Sequence, residues 1–146
     1  MIEIKNKKAL FDYTIYDTYE AGIVLTGTEI KAIRDGKANL KDSYAIVKNN
    51  EVFILNMHIS HYESGSIFNH QETRTRKLLL HKQEILKIRD KIAIKGFTLV
   101  PIKLYFSKNK AKILLGIGKG KKVYDKRETL KEKDINRELK RSLKRY

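Results

Sequence analysis

The sequence predicts a mainly β fold with a few helices, followed by a strongly basic C-terminal tail. Three observations carry this expectation. Short segments alternate apolar and polar residues with period two. Turn-forming residues punctuate them, notably Asn49-Asn50 and Ser107 to Lys110. Charge is uneven along the chain: 146 residues hold 32 Lys and Arg against 17 Asp and Glu, a formal net of +15. Residues 119–146 alone hold 12 basic and 5 acidic side chains.

The elements follow in order. Phe11, Tyr13 and Ile15 alternate with Asp12 and Thr14 as in a strand, and Ile23-Val24-Leu25 forms an apolar run before Thr26-Gly27. Thr26-Gly27-Thr28-Glu29 has the form of a capping box and Gly36 stands where a helix would stop, so a helix is expected over Glu29 to Asp35. Ser43 to Lys48 and Glu51 to Met57 flank Asn49-Asn50, whose side chains tolerate positive φ, which predicts a hairpin. A second helix is expected from about Lys82 to Ile94, with Ile85, Ile88 and Ile92 on one face and Gly96 ending it. Phe97 to Phe106 alternates with Thr98, Val100, Ile102, Leu104 and Phe106 on one side. Pro101 lacks an N–H there and must fall at a sheet edge or a bulge. Ser107 to Lys110 turns the chain into a last strand, Ala111 to Gly118. Five or six strands with interspersed helices suit a small closed antiparallel barrel of OB-like type, an open antiparallel sheet with helices on one side being the alternative.

From Asp125 onward the chain has no Gly or Pro, but its charged pairs at i,i+4, such as Arg127/Lys131, Glu128/Glu132 and Arg137/Arg141, are like-signed. Each such pair costs a few tenths of a kcal/mol. The apolar stripe Ile135, Leu139, Leu143 is narrow. The tail is therefore expected to be disordered when free and helical on a partner.

Composition also excludes. There is no cysteine, which removes disulfides and thiolate chemistry. The amino terminus has no apolar core and no stretch approaches 18 apolar residues, so neither a signal peptide nor a membrane span is expected, and the location is expected to be cytoplasmic. The excess of cations predicts an anionic partner and salt-sensitive binding.

The densest cationic stretch is Lys119 to Arg127, KGKKVYDKR, where Gly118 and Gly120 would let a phosphate approach the backbone. Arg74, Arg76 and Lys77 precede Leu78-Leu79-Leu80, as a phosphate clamp or a polar helix start. Glu29-Ile30-Lys31 matches half of a metal-dependent nuclease site, with Asp12 or Asp17 upstream, but three residues on an amphipathic helix carry little information. His58 and His61, at odd spacing, would point to opposite faces of a strand and not share a metal. GIGKGKK lacks the Ser or Thr of a phosphate-cradling nucleotide loop. Tyr13, Tyr16, Tyr19, Tyr44 and Phe53 could stack on bases, although such residues in strands are more often core. No catalytic residues, cofactor or metal site are expected.

Six strings then matter together: NKKA (Asn6 to Ala9), YEAGIVLTGTEIK (Tyr19 to Lys31), GKANLKDSY (Gly36 to Tyr44), NMHI (Asn56 to Ile59), RTRKLLLHK (Arg74 to Lys82) and KGKKVYDKR. In this order and spacing the chain resembles the small protein B (SmpB) family of SsrA-binding proteins. The resemblance implies an OB-like barrel over 1–124 and a tail over 125–146 that becomes helical on the ribosome. It implies a monomer with no membrane partner. Its RNA partner would be the tRNA-like domain of tmRNA (SsrA RNA), carried to stalled ribosomes for trans-translation. By the same resemblance, Asn6, Glu20, Asn39, Arg76, Leu79, His81, Lys119, Lys121 and Lys122 fall at RNA-binding positions. Tyr124, Asp125, Lys126 and Arg127 fall where the family approaches the decoding centre, and Ile135 and Leu139 lie in the tail that would occupy the mRNA channel beside small-subunit rRNA. Leu10-Phe11 and His61 depart from the family pattern. A general OB-type RNA-binding module is the alternative reading.

Overall fold

A computed structural model of the chain describes residues 2–62 and 69–121. Among these residues nine strands and three helices form a mainly antiparallel β architecture. In chain order they are β1 (Glu3–Lys5), α1 (Lys7–Asp12), β2 (Tyr13–Ile23), α2 (Gly27–Arg34), β3 (Ala38–Asn39), β4 (Tyr44–Lys48), β5 (Glu51–Leu55), β6 (His58–Ile59), β7 (Arg76–Leu79), α3 (Lys82–Ile92), β8 (Phe97–Ser107) and β9 (Lys110–Gly120). Seven strands make one sheet in the order β1-β8-β9-β2-β7-β5-β4, and β3 pairs with β6 separately. The sheet curls so that β4 returns alongside β8, but its outer strands β1 and β4 share no ladder of hydrogen bonds.

Local signals produce the expected elements. The Thr26 hydroxyl accepts from the Glu29 N–H at 3.4 Å, and the Glu29 carboxylate accepts from the Thr26 N–H at 2.8 Å, so the capping box starts α2. Gly36 and Gly96 follow α2 and α3 at φ +74° and +90°. Asn49 and Asn50 take φ 52° and 59°, the left-handed pair that closes the tight β4–β5 hairpin. Lys108 and Asn109 do the same for β8–β9, at φ 52° and 63°.

Pro101 falls at a bulge: the β8–β9 register shifts between Pro101 and Lys103. This corrects the uniform alternation expected of β8. Leu99 enters the central core before the bulge and Leu104 after it, because the extra residue inverts which face each side chain meets. The central core joins Ile54, Leu78, Leu104, Ile113 and Leu115 of the sheet to Ile33 of α2 and Ile88 of α3.

Three further expectations are corrected. Phe11 belongs to the short helix α1, not to a strand. The segment after Arg74 begins β7, not a helix. Gly118 is buried and admits the side chain of Ile15 rather than a phosphate: a Cβ there would lie 3.1 Å from Ile15 Cδ1 and 3.1 Å from the Thr14 carbonyl.

Candidate nucleic-acid interface

β2, β7 and α3 bring Glu20, Leu79 and His81 together. Gly22 of β2 pairs with Leu79 at the end of β7, and His81 stands two residues later, just before α3, where its N–H donates to Glu84 Oε1 at 3.2 Å. These residues line one open groove with Leu80 and Lys112. Leu79 is 52% exposed, unusual for a leucine at the end of a strand paired on both sides, and forms an apolar wall beside polar neighbours. Glu20 is exposed and accepts a hydrogen bond from the Tyr105 hydroxyl at 2.5 Å. Burial first, and then this carboxylate, push the Tyr105 pKa well above its usual value, so the phenol stays a donor and orients Glu20.

Lys119 and Lys121 lie elsewhere. Lys119 stands opposite Thr14 and Phe97 at the far end of β9, its ammonium 5.0 Å from the centre of the Phe97 ring. The Lys121 N–H donates to the Asp12 carbonyl at 2.8 Å, tying the end of β9 to α1. Lys112 and Lys119 stand seven positions apart on β9, about 23 Å of strand. The expected residues thus form two basic or mixed surfaces, not one. Asn39, exposed in β3, belongs with neither group through side-chain contacts; its Oδ1 accepts from the Lys41 N–H at 2.7 Å.

Two expected contact residues are instead interior, which corrects the sequence reading. Arg76 exposes no surface. Its Nε donates to Glu29, Nη1 to the Met57 carbonyl at 2.6 Å and Nη2 to the Glu72 carbonyl at 3.1 Å. Burial lowers its pKa and Glu29 opposes that shift; the guanidinium remains charged. Asn6 is 6% exposed. Its side chain accepts from the Ala9 N–H at 3.2 Å, capping α1, and donates to the Pro101 carbonyl at 2.9 Å. Arg76 thus joins α2 to the segment before β7, and Asn6 joins α1 to β8. Lys122, Tyr124, Asp125, Lys126, Arg127, Ile135 and Leu139 lie outside the described residues.

The nuclease reading fails on Glu29. Its carboxylate is fully buried and occupied by Arg74 at 2.6 Å, by Arg76 and by the Thr26 N–H. Among the described residues no three His, Asp or Glu side chains form a metal-holding group. His58 and His61 do not diverge as expected, because β6 ends at Ile59. Both reach Glu72, His58 directly and His61 at 3.7 Å. Among the aromatic residues weighed as core, Tyr16 is 62% exposed and packs edge-on against Phe97.

Sequence reasoning missed Lys112 in the groove. It sits in an alternating strand like other lysines, and only its pairing opposite Gly22 carries it beside Leu79.

Comparison with known proteins agrees in scope. The family model described as SmpB protein matches residues 3–145. The chain is 56% identical over 142 residues to the SsrA-binding protein of Ligilactobacillus salivarius (strain UCC118), covering 97% of this chain and 92% of that protein. It is 57% identical over 140 residues to the SsrA-binding protein of Shouchella clausii (strain KSM-K16), covering 96% and 90%. Identity to the SsrA-binding protein of Staphylococcus aureus (strain Newman) is also 57% over 140 residues, covering 96% and 91%. A chain of the solved structure "tmRNA-SmpB: a journey to the center of the bacterial ribosome" superposes with TM-score 0.70 and 46% identity, over 83% of this chain and 85% of that one.

Proposed function

The chain belongs to the SmpB protein family, and on that premise we propose that it binds the tRNA-like domain of tmRNA (SsrA RNA) and delivers it to stalled ribosomes for trans-translation and ribosome rescue. The observation that carries this is identity above one half, over nearly the whole chain, to proteins named for binding SsrA. The protein works by binding and not as an enzyme.

The groove of Glu20, Leu79 and His81 is a contact surface for the RNA. Its apolar wall packs against sugar or base, Glu20 accepts from a base or 2′-hydroxyl donor, and Lys112 meets phosphate. Lys119, Lys121 and Lys122 form a second, electrostatic contact at the other end of β9. Asn39, exposed on β3, is a separate contact apart from both surfaces, and Asn6 and Arg76 act through the fold. Tyr124, Asp125, Lys126 and Arg127 enter the decoding centre, and the tail with Ile135 and Leu139 becomes helical in the mRNA channel, where a basic peptide lies against small-subunit rRNA. On this reading the curled sheet is an OB-like barrel over 1–124, closed by β4 against β8. Residues 125–146 are the tail, and the protein is a cytoplasmic monomer.

Sequencing the RNAs that co-purify with the protein tests the reading. One structured RNA carrying a tRNA-like domain should dominate. Recovery of many unrelated RNAs in proportion to their abundance would instead identify a general RNA-binding module.

A further inference from the structure

The groove of Glu20, Leu79 and His81 does not end at Gly22 and Lys112. Those two residues and Leu79 also line a second trough, which runs between the end of β2, α2 and the β8–β9 hairpin. Its wall is apolar and open: Val24 is 45% exposed, and Phe106 is partly exposed. The guanidinium of Arg34 lies 5.6 Å from the centre of the Phe106 ring. Three cations, Arg34, Lys110 and Lys112, line the trough, and no acidic residue does. Among the described residues none of the three forms an ion pair with a carboxylate, whereas Lys5, Lys8, Lys77, Lys91 and Lys103 do.

Charge and shape point one way. A solvated charged face would have no reason to surround exposed leucine, valine and phenylalanine. A purely apolar partner would leave three cations to be desolvated without compensation. A nucleotide offers both required surfaces: a flat base, which stacks on aromatic rings and guanidinium planes, and phosphates for the surrounding cations. Continuity with the neighbouring groove places this trough on the same ligand. We infer that the trough takes an unstacked nucleobase of the bound RNA against Val24 and Phe106, with Arg34 and Lys110 on its flanking phosphates. The inference rests on the RNA-binding function proposed above.

Two measurements on the full-length protein test it, with a transcript of the tRNA-like domain of tmRNA as probe. The double variant Arg34→Ala/Lys110→Ala removes two exposed cations and leaves the first groove intact. The slope of log affinity against log salt should fall in magnitude by about 1–2, with weaker binding at low salt. The chain has no cysteine, so Val24→Cys gives a single thiol to which an iron chelate can be tethered. Hydroxyl radicals from it should cut the RNA at a few loop nucleotides. If the parent protein binds while the double variant keeps the parental slope, or the tethered chelate leaves the RNA intact, the trough is not a nucleotide site and RNA binding by the first groove stands. Cutting of a ribosomal protein instead, in the complex with ribosomes, would assign the trough to an acidic peptide and overturn the inference. Failure of the parent protein itself to bind the transcript would overturn the proposed function and the inference with it.

Discussion

The Nε of Arg76 donates to Oε2 of Glu29 between two side chains that expose no surface, fastening the first turn of α2 to the start of β7. Arg74 completes the arrangement from the rim, donating to Oε1 of the same carboxylate at 2.6 Å. A buried pair of this kind is weak evidence for net stability, since desolvation offsets most of the attraction. Breaking it is costly, because the surviving charge is left uncompensated.

Glu29→Gln should therefore lower stability at neutral pH by about 3–5 kcal/mol. Burial pushes the Glu29 carboxyl upward, but hydrogen bonds from Arg74, the Thr26 N–H and Arg76 outweigh it and hold its pKa below the ordinary 4.5. A depressed carboxyl contributes stability that is complete above its unfolded value and is lost as pH falls through the folded value. The gap between parent and variant, measured by thermal melts, should narrow as pH drops below 4.5. A gap constant down to strong acid would show that Glu29 is not ionised in the native protein.

Asn6→Ala should cost about 2 kcal/mol, through the lost cap of α1 and the unsatisfied carbonyl of Pro101. Well below the melting temperature its affinity for the tRNA-like RNA should remain parental. Weakened binding with unchanged stability would make Asn6 a direct contact despite its burial.

Leu79→Ala reverses that pattern. The side chain is half exposed, so stability should change by no more than about 0.5 kcal/mol. Affinity should fall about tenfold, the equivalent of burying part of a leucine against the RNA. Titration of the fluorescently labelled transcript reads the affinity, and an unaltered affinity would remove Leu79 from the interface.

Binding should also be electrostatic. Neutralising about four to six phosphates gives a slope of log affinity on log salt near −3 to −5. Replacing Lys121 and Lys122 by alanine should reduce it by about 1–2, without changing which RNA is preferred. A parental slope near zero would remove phosphate contact from the account.

Alanine at Asp125, Lys126 and Arg127 together should leave folding and RNA affinity intact and abolish tagging on stalled ribosomes. The readout is peptidyl transfer to alanyl-charged tmRNA on ribosomes carrying a truncated message. Full activity would exclude the three residues from the decoding step, whereas lost RNA binding would assign them to the RNA surface.

Features satisfied within a few residues were legible in the sequence. The Thr26–Glu29 capping box, the Asn49-Asn50 turn, the glycine after α3 and the edge or bulge required by Pro101, which proves to be a bulge, each settle a backbone requirement locally. Family membership was equally legible, because it rests on strings and their order. β1, α1 and β7 were not legible. β1 is three residues long and exists by pairing with β8, from Glu3 opposite Tyr105 to Lys5 opposite Lys103. α1 is one short helix that depends on Asn6, whose amide reaches Pro101.

The same distinction separates contact residues from supporting ones. By sequence, Arg74, Arg76 and Lys77 are three similar cations. The alternation of β7 sends Arg76 inward to a carboxylate 47 residues away, leaves Lys77 outside beside Glu51, and turns Leu79 out into the groove. Residue type and order determined the chain's charge, turns and family. Only the tertiary structure decided which cations face a ligand and which face the core, because burial depends on partners distant in sequence while charge does not.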